Sequence, residues 1–112
     1  MFERVRSLFS SKPAGPWQPS DYRVVATEAG ANVNYDCYCG CDAGIAFDRA
    51  DAEQEAGSCC CGNLIQVGAG AVARLNRQLT DPAAYRIAVQ SVAMPWGEQS
   101  DVALAIPEQP AP

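Results

Sequence analysis

Histidine is absent from this chain of 112 residues. That removes mixed cysteine–histidine zinc sites, Cys–His nucleophile pairs, histidine general bases and haem held by histidine. Positive charge is also scarce: eight lysines and arginines against thirteen acids give a net charge of −5 at pH 7. A general nucleic-acid binder needs a basic patch, which this balance does not supply. No apolar run approaches the ~18 residues of a membrane span. No phosphate-binding glycine loop or nucleophile elbow is present, so the reading leans away from an enzyme. In MFERVRSLFSSKP, Arg4 and Arg6 interrupt the apolar residues, leaving no h-region of a secretory signal peptide. The expected compartment is therefore the reducing cytoplasm, where clustered cysteines bind metal or do redox work more often than they form stable bridges.

What remains is a globular composition, 48% hydrophobic and 19% charged, of a length that suits one domain with a modest core. Residues 1–10 are expected to form a short amphipathic N-terminal helix, with Phe2, Val5, Leu8 and Phe9 on one face. Such a helix either docks on a protein partner or a membrane surface, or rests on its own domain, and its shortness favours the second. The proline-rich stretch 11–20 reads as a linker, residues 21–107 as a single β domain and 108–112 as a loose tail. Within the domain, strands are expected over 22–28, 32–36, 43–48, 63–68, 86–94 and 101–107, with 95–100 as a hairpin turn. The stretch 69–81 fits a helix, placing Val72, Leu75 and Leu79 inward and Arg74 and Arg77 toward water. The fold class is thus mostly β (α+β), a small sheet domain with one packed helix. Trp17 and Trp96 are candidates for closing its core.

The chemistry is concentrated in six cysteines, all within DCYCGCD (36–42) and GSCCCGN (57–63). Both stretches contain C-x-C-G leading into a β-prone run. Two thiolates on a tight turn, with glycine supplying an unusual backbone angle, are what a metal knuckle requires. Two knuckles brought together supply the four sulfurs of a tetrahedral zinc site. Alternate residues of an extended segment share a face, which selects Cys37, Cys39, Cys59 and Cys61 as the ligand set. Cys41 is the substitute or spare ligand, and Cys60 is expected to point the other way as an outsider, with both kept as candidate extra ligands. Soft thiolates also suit Cu(I) and iron–sulfur clusters, but the spacing matches neither common ferredoxin pattern, so zinc is preferred. Acidic residues from Asp36 to Glu55, opposed there by Arg49 alone, make the region attractive to cations, although an ordinary solvated loop is the preferred explanation of them.

GSCCCGNLIQV (57–67) resembles the opening motif of the glutathione-dependent formaldehyde-activating (GFA) family, in which G-S-C-x-C-G precedes a strand. The resemblance covers about a dozen residues, with a looser echo in CYCGCDAGIAF, and implies a mostly β, zinc-binding fold of the β-tent kind with Cys59 and Cys61 as the family's first cysteine pair. The family follows that pair with a C-x-x-C cluster, whereas no cysteine follows Cys61, so its glutathione-adduct chemistry does not carry over. The expectation is a small cytoplasmic protein in which a four-cysteine zinc site ties two β-knuckles together for binding or metal handling. The alternatives are a Cu(I) or zinc store or chaperone, and a GFA-like enzyme or thiol–disulfide redox protein, for which Cys39 and Cys41 would supply a strained, labile disulfide.

Overall fold

The structure, a computed structural model, describes residues 17–19, 21–51 and 53–108. The expected N-terminal helix, residues 11–16 and 20 of the linker and residues 109–112 of the tail lie outside the described residues. In chain order the elements are β1 (Arg23–Ala26), β2 (Gly30–Asp36), β3 (Asp42–Asp48), β4 (Gly57–Ser58), β5 (Leu64–Val67), α1 (Ala71–Gln78), β6 (Tyr85–Ala93) and β7 (Gln99–Pro107). A 3-10 turn at Pro82–Ala84 leads into β6. All pairing is antiparallel, in one sheet ordered β1-β2-β3 and another ordered β4-β5-β7-β6. The mostly β architecture with one helix is therefore as the sequence pattern requires.

Period-two alternation builds the core. On β2, Ala31, Val33 and Tyr35 are buried while Asn32 is exposed. They join one cluster with Ile65 and Val67 of β5 and Val102, Leu104 and Ile106 of β7. Complete burial of a side chain such as Ile65 or Leu104 contributes on the order of 2 kcal/mol. The intervening β7 residues, Ala103 and Ala105, face the other way and meet Ala71, Leu75 and Leu79. Strand β7 is thus covered on both faces, and the layers run sheet, sheet, helix. Trp17 and Trp96 are half-buried and pack against the larger cluster, as expected of core-closing aromatics.

Three expectations need correction. The helix is shorter than 69–81, because Gly68 and Gly70 adopt φ of 101° and 78° at its start and Leu79 is extended at its end. Arg74 does not face water: it is buried, donating to the Ala69 and Val67 carbonyls at 2.7 Å each. The turn from β5 into α1 leaves those carbonyls without strand or helix partners, and a guanidinium has enough donors to satisfy both. Val72, expected inside, is instead 37% exposed. Strand β4 has no counterpart in the expected strands, since Gly57 and Ser58 carry no β propensity and pair only through Ile65 and Leu64.

Candidate metal centre

Each cysteine cluster is the loop of a β-hairpin. The first spans Cys37–Cys41 between β2 and β3, closed by the pair Asp36↔Asp42. The second spans Cys59–Asn63 between β4 and β5, closed by Ser58↔Leu64. The two loops share one hydrogen-bond scheme. The Cys37 N–H donates to the Cys41 carbonyl at 3.0 Å and the Gly40 N–H to the Cys37 carbonyl at 2.9 Å. The Cys59 N–H donates to Asn63 at 3.0 Å and the Gly62 N–H to Cys59 at 2.9 Å. Gly40 and Gly62 take φ of 92° and 100°, a region that L side chains rarely adopt, so the glycine of C-x-C-G is a backbone requirement of the loop.

Because the hairpins belong to different sheets, the fold brings thiols from both sheets together at one end. Cys37, Cys39, Cys59 and Cys61 form a group whose sulfurs all lie within 4.8 Å of one another, and Cys39, Cys41, Cys59 and Cys60 form a second. Three contacts cross from loop to loop: Cys37 to Cys61 at 3.2 Å, Cys39 to Cys59 at 3.3 Å and Cys41 to Cys60 at 3.4 Å. Cys60 also lies 3.8 Å from Cys39, so it does not stand apart from the other thiols. Face alternation holds for extended chain, whereas Cys60 sits in a tight loop where the direction of successive side chains is set by the turn. All six thiols are free.

The cluster is buried at one side and open at the other. Cys37 continues the inward face of β2 after Tyr35 and is 5% exposed, while Cys39, Cys41 and Cys60 are exposed. Burial pushes the Cys37 thiol well above its ordinary range, against the pull of the Cys39 backbone N–H. The Cys39 thiol is instead lowered, first by the Cys41 backbone N–H and then by the Cys59 side chain. Cys41 is pushed up to about 12 by its hydrogen bonds to Cys60 and Cys39. Asn63 is fully buried beneath the loops, its Nδ2 donating to Cys37 Sγ at 3.6 Å and to Tyr35 Oη at 3.5 Å. Trp17 stacks edge-on against Tyr38 at 4.7 Å, closing the flank of the first loop.

Thus the structure brings all four sulfurs of the expected ligand set together, with Cys41 and Cys60 adjoining them. The six cysteines are clustered at metal-binding distances. Sequence reasoning passed over Asn63. Its signal was the repeat itself, since Asn63 holds in the second loop the place of Cys41 in the first. The acidic run is partly spoken for: Asp36 and Asp42 converge on Arg23 at 3.2 and 2.5 Å, and Glu53 pairs with Arg77 at 3.1 Å. These exposed pairs contribute little energy, but they turn the carboxylates toward cationic side chains. Comparison with family models, with curated proteins and with solved structures finds no match.

Proposed function

We propose that this chain is a small zinc-binding domain in which Cys37, Cys39, Cys59 and Cys61 hold the ion and so tie the two sheets together. One observation carries the reading: two hairpin loops of the same geometry, one from each sheet, present four sulfurs within 4.8 Å of one another. Four thiolates are the ligand complement of a structural zinc site. The Asn63 amide and the Cys39 backbone N–H are donors aimed at Cys37, the kind of support that orients a ligand and stabilises its thiolate form. The role is binding or metal handling, not turnover. The GFA-like enzyme reading lacks a downstream thiol cluster, since no cysteine follows Cys61.

A second reading, a store or carrier of a soft ion such as Cu(I) or zinc, is favoured by the exposure of Cys39, Cys41 and Cys60. An ion held by exposed thiolates can pass to an acceptor without opening the core.

Metal analysis of protein purified under reducing conditions, paired with thermal unfolding before and after chelation, tests the proposal. Zinc is expected to co-purify, and its removal to abolish cooperative unfolding or lower its midpoint strongly, because binding energy is folding energy at such a site. Metal-free protein with the unfolding midpoint of the zinc-loaded form would overturn it. A copper-selective preparation whose ion moves to a competing chelator within seconds would favour the carrier reading.

A further inference from the structure

The two groups of four sulfurs are not separate sites: Cys39 and Cys59 belong to both. The loop-to-loop contacts form a ladder of three rungs, Cys37–Cys61, Cys39–Cys59 and Cys41–Cys60, at 3.2, 3.3 and 3.4 Å. Each rung takes one sulfur from each hairpin. The middle rung is the edge that two four-sulfur groups share. A zinc–sulfur bond of about 2.3 Å corresponds to a tetrahedral edge of about 3.8 Å. The rungs are shorter than that edge, while all four sulfurs of each group lie within 4.8 Å of one another, so a small spreading of the two loops gives each group room for an ion.

We infer that the six cysteines form one two-ion thiolate cluster, in which Cys39 and Cys59 bridge an inner and an outer zinc. Cys37 and Cys61 complete the inner tetrahedron, and Cys41 and Cys60 complete the outer one. The inference rests on the proposed zinc reading of the inner four sulfurs and extends it to the remaining two. A thiolate sulfur keeps lone pairs after binding one cation and can bind a second. Loading two zinc ions onto six thiols releases six protons to solvent, and each sulfur ends as a thiolate. The second ion adds two positive charges together with two thiolates, so the cluster keeps the net charge of a single tetrathiolate centre.

The two ions occupy unlike surroundings. The inner one has buried Cys37 and half-buried Cys61 as its terminal ligands, whereas both terminal ligands of the outer one are exposed. The inner ion is therefore the staple and the outer ion the exchangeable one.

Native mass spectrometry of the full chain titrated with Cd(II) under reducing conditions tests this, together with ¹¹³Cd NMR of the loaded protein. Two ions per chain are expected, giving two ¹¹³Cd resonances split by mutual coupling through the bridging sulfurs. A Cys41→Ser/Cys60→Ser double variant is expected to unfold cooperatively and to hold half as many ions. One ion per wild-type chain, with Cys41 and Cys60 open to a thiol reagent, would overturn the two-ion cluster and leave the single-site reading standing. Two ions without mutual ¹¹³Cd coupling would overturn the bridging. No bound ion at all would overturn both readings.

Discussion

Asn63 shows how much of this site depends on a residue with no metal-binding chemistry of its own. It is fully buried, and its Oδ1 has no hydrogen-bond partner among the described residues, while Nδ2 faces Cys37 Sγ and Tyr35 Oη. Replacing it by leucine keeps the volume and removes the donor. Asn63→Leu should weaken zinc binding roughly 10–100-fold, the usual effect of removing a hydrogen bond to a ligand, as read by competition with a chromogenic chelator. Arg74 holds a comparable position at the Val67 end of β5, away from the cysteine loop, where it satisfies the Val67 and Ala69 carbonyls. Arg74→Leu should destabilise the fold by about 2–3 kcal/mol in urea unfolding while leaving the metal affinity unchanged, because it strands buried acceptors far from the thiols.

At the scale of the element, the hairpin loop is the recurring device, and it occurs a third time without cysteine. Between β6 and β7, the Met94 N–H donates to the Glu98 carbonyl at 2.8 Å and the Gly97 N–H to Met94 at 3.0 Å, with Gly97 at φ 92°. This is the bond scheme of the two cysteine loops. The loop geometry therefore belongs to the glycine and the closing bonds, and the thiols are placed on it. Gly40→Ala and Gly97→Ala should each destabilise the fold by ~1–2 kcal/mol through the positive φ, measured by thermal unfolding. Only Gly40→Ala should also lower metal affinity. Equal loss of affinity in both variants would count against the cysteine loops as the binding element. Where the sheets meet, a Cβ on Gly57 of β4 would collide with the Gly44 carbonyl of β3. Gly57→Ala should therefore cost up to about 3 kcal/mol, since backbone on a paired strand cannot retreat as a flexible side chain does.

For the whole molecule, the thiol cluster and the apolar core are in series. Cys37 lies in the same cluster as Val33, Tyr35, Ile65 and Leu104, and Cys59 and Cys61 pack against it. With zinc on these sulfurs, as proposed, acidification should release the ion as the thiolates protonate, loosening the end of the domain where the sheets converge. Part of the alkaline limit has a separate origin. Burial raises the Tyr22 hydroxyl from 10.0 to about 12, so the folded state holds the neutral phenol more strongly than the unfolded chain does. The sign follows: this contribution is complete below pH ~10 and is lost as pH rises toward 12. Stability measured by urea midpoint should fall over that window, and Tyr22→Phe should flatten the fall.

Much of this was legible in the residues. The alternation of Ala31, Val33 and Tyr35, the apolar run of β7 and the repeated C-x-C-G are local patterns, so strands, hairpins and the paired cysteines follow from periodicity and from the backbone needs of glycine. Local pattern says nothing about what a non-neighbouring segment will present. The burial of Arg74 depends on two carbonyls freed by a turn, β4 exists because β5 offers it an edge, and Cys60 joins the cluster because a loop of the other sheet brings Cys41 to it. The sequence by itself determined which residues carry the chemistry and where glycine turns the chain beside them. Only the meeting of two sheets decided which sulfurs face one another, because register between sheets is set by packing and not by spacing along the chain.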